Sequence, residues 1–383
     1  MNMKLFFEDI ISRRSFLKKC GWLALSGFTL SRVVKFAEAQ EARYGYAVPK
    51  KALFYEKLSR KRVRCKLCPR TCIVSKGERG FCRVRENRDG EYYTLVHSNP
   101  CAVHIDPIEK KPLFHFYPGT KALSIATAGC NFTCKNCQNY DISQARPDDT
   151  ANYDLSPARI VELAIEYATP TIAYTYTEPT VFYEYMLETA EAAHRKGVLN
   201  IYHSNGYIDQ EALGKLVGYL DGANVDLKGF SNDFYKEITG GTLSPVLESL
   251  KTLKRSGVWL EITNLVIPTK NDSDGAIRDF CAWIESELGT DTPVHFSRFY
   301  PQYKLQNLPP TPVETLRKAA NIAHAAGLDY VYIGNVPGVD EENTFCPQCG
   351  KTIIGRTGYR VHAYAIEDGR CGFCKAEIAG RWK

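Results

Sequence analysis

The sequence has no internal repeat, no low-complexity stretch and no apolar run long enough to cross a membrane. Collagen-like order and intrinsic disorder are excluded, since 44% of the 383 residues are hydrophobic and 24% charged, the balance of a folded protein. A surplus of one charge is also missing from most of the chain. The formal net charge is +6, but residues 1–39 carry seven Lys/Arg against three Asp/Glu, which leaves only +2 for the other 344 positions. Nucleic-acid binding needs a basic face or stripe, and a nearly neutral body offers none. At about 100–200 residues per domain, the length allows two or three domains.

Residues 12–18 read Ser-Arg-Arg-Ser-Phe-Leu-Lys, followed by an apolar run from Gly21 to Leu30 and by Ala37-Glu38-Ala39. These are the three parts of a secretory signal, and Arg13-Arg14 marks its twin-arginine form. The apolar run is too short and interrupted to span about 30 Å of hydrocarbon, so an integral membrane protein is not expected. Residues 1–39, with Cys20, are read as a leader and 40–62 as a linker.

What the chain has in excess is cysteine: fourteen, eleven of them in three groups. Disulfide frameworks serve small secreted domains that lack a core. A chain this long builds a core, so its C-x-x-C pairs read as metal ligands. Cys346, Cys349, Cys371 and Cys374 (residues 341–383) have four-thiolate zinc-ribbon spacing, with Gly350 and Gly372 in the knuckles. Rubredoxin-type iron or an additional iron–sulfur cluster is the alternative, and the near-neutral charge suggests a structural cap or docking element. Cys65, Cys68, Cys72 and Cys82 (residues 63–120) also offer four thiolates, and their spacing leaves zinc and a second [4Fe–4S] cluster open. Cys281 shares a helix face with Ile277, Ile284 and Leu288 and is expected to be a buried, inert thiol; Cys101 is read as ordinary too.

Residues 121–340 alternate strand and helix. Strands are predicted at Leu123–Ala126, Thr171–Tyr176, Val198–His203, Ala223–Leu227, Val258–Ile267, Val294–Arg298 and Asp329–Ile333. Helices are predicted at Val181–Lys196, Gln210–Leu220, Pro245–Ser256, Ala276–Leu288 and Pro312–Ala326. Such alternation implies an α/β fold with a parallel sheet. The number of units suits a full or partial (β/α) TIM-type barrel, with its active site at the C-terminal ends of the strands and a cysteine-rich module at each end.

Cys130-x3-Cys134-x2-Cys137 directly follows the first barrel strand. Three thiolates hold three irons of a [4Fe–4S] cluster, which a fourth would normally complete, and an open metal position is where chemistry happens. This loop resembles that of the radical S-adenosylmethionine (SAM) superfamily. The resemblance extends to Cys101-Ala-Val-His-Ile-Asp-Pro-Ile-Glu-Lys-Lys-Pro-Leu-Phe-His-Phe116, Ala128-Gly-Cys-Asn-Phe132, Cys137-Gln-Asn139, Ala173-Tyr-Thr-Tyr-Thr-Glu-Pro179 and Ser297-Arg-Phe-Tyr-Pro301. These stretches are similar to the radical SAM member of the AmmeMemoRadiSam system, a relative of the pyruvate formate-lyase activating enzymes, and the likeness covers residues 63–380.

The resemblance implies a barrel of the radical SAM kind with a [4Fe–4S] cluster on Cys130, Cys134 and Cys137. SAM would bind at the open iron and be cleaved reductively to methionine and a 5′-deoxyadenosyl radical that takes hydrogen from a substrate. It places Thr177 and Glu178 at the SAM amino group, Lys228 at the SAM carboxylate with Asp226 positioning it, and His295 at the ribose. Asn205 either contacts the ligand or serves an ordinary Asn-Gly turn. Asn136 stands where relatives have an aromatic residue near the adenine, with Phe132 or Tyr140 as substitutes. The implied partners are the two companion proteins of that system and an electron donor such as a flavodoxin or ferredoxin. A glycyl-radical activase is the runner-up activity, and an iron–sulfur or zinc electron carrier or interaction protein is the alternative of another class. The leader suggests export of the folded protein, whereas SAM and low-potential electrons are cytoplasmic supplies, so localisation stays open. The run His104, Asp106, Glu109, Lys110 and His115 is either a solvated hairpin or a substrate or partner surface over the barrel mouth.

Overall fold

The computed structural model describes residues 41–382; the leader, with Arg13, Arg14 and Cys20, lies outside the described residues. An eight-stranded sheet is built, in chain order, from β1 (Ala102–Pro107), β2 (Lys121–Ala126), β3 (Thr171–Tyr174), β4 (Leu199–Ser204), β5 (Gly222–Asp226), β6 (Trp259–Val266), β7 (Val294–Arg298) and β8 (Val331–Gly334). β2 to β8 run parallel, and β1 is antiparallel to β2. β1 and β8 end the sheet without pairing to each other, so the barrel is partial.

Helices α1 (Pro157–Glu166), α2 (Tyr183–Arg195), α3 (Gln210–Leu216), α4 (Ser244–Arg255), α5 (Asp274–Leu288) and α6 (Val313–Ala325) form the crossovers. The parallel strands are buried nearly throughout, as strands covered on both faces must be. Helices turn inward the residues that recur every three or four positions, such as Val246, Leu250 and Leu253 of α4. Cys281 lies on the same kind of stripe in α5 and is fully buried.

Several elements depart from the expectations. α1 precedes Thr171, where no helix is predicted; Ser156 caps it by accepting from Arg159 N, and Pro157 opens it. Residues 40–62 are not a free linker, because Arg43–Tyr44, Lys50–Lys51 and Tyr55–Lys57 each pair with strands elsewhere. The short strand expected at Cys101–Ile105, within the stretch assigned to the first cysteine module, forms as β1 but joins the barrel sheet, where it covers the hydrogen-bonding edge of β2.

Residues 112–116 plug the N-terminal end of the barrel. Leu113 and Phe116 pack against Ala122, Ala173, Ile201 and Trp259, of β2, β3, β4 and β6. At the centre, the Glu261 carboxylate accepts from His115 N (2.8 Å), Phe114 N (2.9 Å) and Trp259 Nε1 (3.0 Å), and lies 2.7 Å from His295 Nε2. Burial would raise its pKa, but His295 and the other donors hold it below the usual carboxylate value. His115 is fully buried, and that burial pushes its pKa down to about 4. The neutral ring donates from Nδ1 to Ala379 O (2.7 Å) and accepts at Nε2 from Tyr332 OH (2.5 Å). The C-terminal module docks on this plug: Arg356 Nη2 donates to Phe114 O (2.6 Å) and Arg381 N to His115 O (2.7 Å). It therefore seals the end opposite the C-terminal edges of the strands.

Glu261→Gln preserves shape but turns an amide nitrogen toward groups that need an acceptor. Urea unfolding under anaerobic conditions should show a loss of about 2–4 kcal/mol with an unchanged slope. A loss below about 1 kcal/mol would mean that the carboxylate does not hold the plug.

Candidate active site

The loop after β2 carries Cys130, Cys134 and Cys137 to the open end. Gly129 enters it at φ 96°, where a Cβ would stand 2.5 Å from Val84 Cγ1 and 2.7 Å from Cys82 O. The other half of the barrel clamps the loop: Thr133 N and Lys135 N donate to Thr239 O and Ile238 O at 2.9 Å, and Asn131 Nδ2 donates to Tyr207 O at 2.7 Å. The segment after β7 covers it, with Lys304 N donating to Lys135 O (2.9 Å) and Gln302 Nε2 to Gln138 O (3.1 Å).

Donors are aimed at the sulfurs. Phe132 N lies 3.3 Å from Cys130 Sγ, and Ser143 Oγ lies 3.1 Å from Cys137 Sγ. Hydrogen bonds of this kind support cluster thiolates. These three sulfurs do not all lie within 4.8 Å of one another, as those of the C-terminal four do. That wider spacing suits a group larger than a single ion.

The strand ends surround the loop. Glu178 is buried, and its carboxylate accepts from Thr180 N (3.0 Å), Ser204 Oγ (2.7 Å) and Asn205 N (2.9 Å). Thr177 Oγ1 donates to Thr127 O (2.9 Å) and so fastens its turn to the cysteine loop. Asn205 donates from Nδ2 to Asn131 Oδ1 (2.9 Å), with Cys130 Sγ 3.9 Å away, and its Oδ1 accepts from Tyr207 N. Lys228 Nζ stands 2.8 Å from Asp226 Oδ2, with 22% and 29% of the two side chains exposed. Burial raises the Cys134 thiol to about 11, and the Lys228 ammonium works against that rise.

His295 is placed otherwise than the resemblance implies. It belongs to the plug, 2% exposed, bound to Glu261, stacked on Tyr332 and capped edge-on by Phe114. Phe132 is fully buried against Tyr207 and Tyr235, which makes it an anchor for the loop. Tyr140 remains 42% exposed and stacks on Tyr303 at 4.6 Å.

Other site residues carry no one-dimensional signal. His203, one residue before the end of β4, bridges Thr175 Oγ1 (3.3 Å) and Asp226 Oδ1 (3.5 Å). Tyr176 holds φ 63°, unusual for an aromatic residue, and its carbonyl accepts from Asn139 Nδ2 at 2.7 Å. Its hydroxyl donates to Asp106, which also binds Lys110 (2.9 Å) and the buried Lys111 (2.6 Å). Burial pushes Lys111 down to about 8 despite that partner. Of the charged run, Asp106, Glu109 and His115 are buried while His104 and Lys110 are exposed, so it is a solvated hairpin only in part.

At the far end, Cys346 Sγ lies 3.6 Å from Cys374 Sγ and Cys349 Sγ 3.8 Å from Cys371 Sγ. A tetrahedral ion with metal–sulfur bonds of about 2.3 Å sets its sulfurs about 3.8 Å apart. Gly350 takes the left-handed turn of the first knuckle, whereas Lys375, not Gly372, takes it in the second.

Gly129→Ala should cost about 2–4 kcal/mol, from left-handed strain plus overpacking. Gly77→Ala, also left-handed but with nothing within 4 Å, should cost about 1 kcal/mol. Equal shifts in the two unfolding midpoints would show that Gly129 is not confined by Val84 and Cys82.

Residues 124–281 match the Radical SAM superfamily. Uncharacterized protein MJ0808 of Methanocaldococcus jannaschii is 49% identical over 331 residues, covering 86% of this chain and 98% of that protein. Uncharacterized protein MJ0674 of the same organism is 26% identical over 284 residues, covering 70% and 76%. Among solved structures, a domain of a pyruvate-formate lyase-activating enzyme from Bacteroides vulgatus is 13% identical, with a TM-score of 0.38 over 43% of this chain and 98% of that one. A C-x3-C-x2-C loop seated at the open end of a partial (β/α) barrel accompanies these matches, and the chain belongs to the radical SAM superfamily.

Proposed function

We propose that this radical SAM enzyme binds a [4Fe–4S] cluster through Cys130, Cys134 and Cys137 and cleaves SAM reductively there. The observation that carries the reading is a clamped three-thiol loop facing the Asp226–Lys228 pair at the open end of the barrel. When bound, cluster and SAM supply a 5′-deoxyadenosyl radical that removes hydrogen from a substrate.

The chain's own residues hold and screen these groups. Lys228 has three N–H donors and gives one to Asp226, which leaves two for the SAM carboxylate. Asp226, braced by His203, fixes the direction of the ammonium group. Glu178 stands behind the turn as a buried carboxyl group. Three of its roughly four acceptor positions are filled, and the fourth is left for the SAM amino group. Asn205 positions the loop through Asn131. The plug and the C-terminal module close the other end of the barrel against water.

Asp106, Lys111 and Tyr176 form the substrate side between plug and SAM turn. The likeness of residues 101–116 to the AmmeMemoRadiSam enzymes supports the two companion proteins of that system as partners, with a flavodoxin or ferredoxin as one-electron donor. The C-terminal thiols hold zinc in a structural role, in keeping with their spacing and their place on the plug.

Anaerobically reconstituted and reduced enzyme should form 5′-deoxyadenosine from SAM, and Cys130→Ala, Cys134→Ala or Cys137→Ala should abolish this. Lys228→Ala should keep its iron but bind SAM about 10- to 150-fold more weakly, the effect of losing one charge-assisted contact of about 1.5–3 kcal/mol. Unchanged SAM affinity in that variant would remove Lys228 from the site.

Cys349→Ser should lose zinc and expose residues 341–383 to protease, because metal binding supplies folding free energy to a small module. The iron content of the barrel should stay constant. Iron falling instead of zinc would reassign the module to iron.

A further inference from the structure

The first cysteine group has no part in the chemistry above, yet Cys65, Cys68, Cys72 and Cys82 line a single cavity of about 20 Å³. Arg85 and Tyr92 also line it; they are 1% and 0% exposed, and Arg85 Nε and Tyr92 Oη have no hydrogen-bond partner among the described residues. Leaving a buried donor unpaired costs about 1–3 kcal/mol, so the cavity calls for an occupant that accepts hydrogen bonds. Gly80 keeps that hydroxyl in place, since a Cβ there would stand 2.7 Å from Tyr92 Oη. The backbone is also strained where it aims the thiols. Thr71, just before Cys72, has φ 44°, and Arg83, just after Cys82, has φ 71°. Left-handed non-glycine residues of this kind gather where a site fixes side-chain direction.

The spacing decides between a lone ion and a cluster. No three of these sulfurs lie mutually within 4.8 Å, whereas the C-terminal four do. Tetrahedral zinc needs its sulfurs about 3.8 Å apart. A cluster that gives each thiolate its own iron, or shares two irons among four, holds them wider and adds sulfide acceptors for Arg85 and Tyr92.

We propose that Cys65, Cys68, Cys72 and Cys82 ligate a second iron–sulfur cluster, with Tyr92 and Arg85 donating to its sulfurs. Its neighbour is the barrel loop itself. Asn131, between Cys130 and Cys134, forms part of the cavity wall, and Arg70, between Cys68 and Cys72, donates to Asn131 O and to Gly240 O.

The test uses the full chain, reconstituted anaerobically with ferrous iron and sulfide, in a Cys130→Ala/Cys134→Ala/Cys137→Ala background. Roughly two to four irons per chain, with equal acid-labile sulfide, should remain, with zinc at about one per chain. Adding Cys65→Ser and Cys72→Ser should remove that iron. Tyr92→Phe in the triple background keeps all four thiols, so it is informative even where the serine variants fold poorly. It should move the midpoint potential of the residual cluster to more negative values, because a donor to sulfur is lost. An iron-free triple variant would overturn the proposal, whether zinc rises to about two per chain or stays at one. An unshifted potential in Tyr92→Phe would place the iron elsewhere and overturn it as well. No SAM enters this count, so iron retained here while the enzyme with all its cysteines fails to cleave SAM would contradict only the proposed function.

Discussion

Three thiols drawn from one eight-residue loop must be held apart, aimed at one point and kept from water, and much of the fold answers to that constraint. The loop cannot do this alone, because it contains no regular structure and its sulfurs repel one another once ionised. It is gripped from three directions: by Val84 and Cys82 against Gly129, by Ile238 and Thr239 against Thr133 and Lys135, and by Gln302 and Lys304 from beyond β7. Each grip comes from a different part of the chain. The geometry of the thiols is therefore a property of the assembled barrel, which is how a preorganised site is built.

The two ends of the barrel divide the work. At the C-terminal edge, side chains stay partly exposed, as the paired Asp226 and Lys228 do. At the N-terminal edge, one carboxylate, Glu261, gathers two backbone N–H groups, an indole and an imidazole into a dry plug. Docking the C-terminal module on that plug places it at the end of the barrel opposite the loop.

Features that depend on short spacing were legible in the sequence. The C-x3-C-x2-C loop, the alternating strands and helices and the inward face of α5 with Cys281 could all be read from neighbouring positions. Features that depend on distant pairing could not. Glu261 meets His115 across 146 positions, so neither announces the plug, and His295 is drawn into it by the same carboxylate. The strand at β1 is legible from its own residues, but its pairing with β2 is not, so it reads as part of a cysteine module. The burial of Asp106 and Lys111 is likewise set by Tyr176, 70 positions from Asp106. α1 is a different case. Its Ser156 cap and Pro157 start were present as local signals, and a search for caps as well as for periodicity finds it.

The central claim is that the barrel loop leaves one iron for SAM. The electron-spin-resonance spectrum of the reduced enzyme, recorded with and without SAM, tests it most directly. The account predicts a signal that changes on addition of SAM, with the change absent from Cys134→Ala. A reduced-cluster signal that is identical with and without saturating SAM would contradict it and leave an electron carrier as the better description.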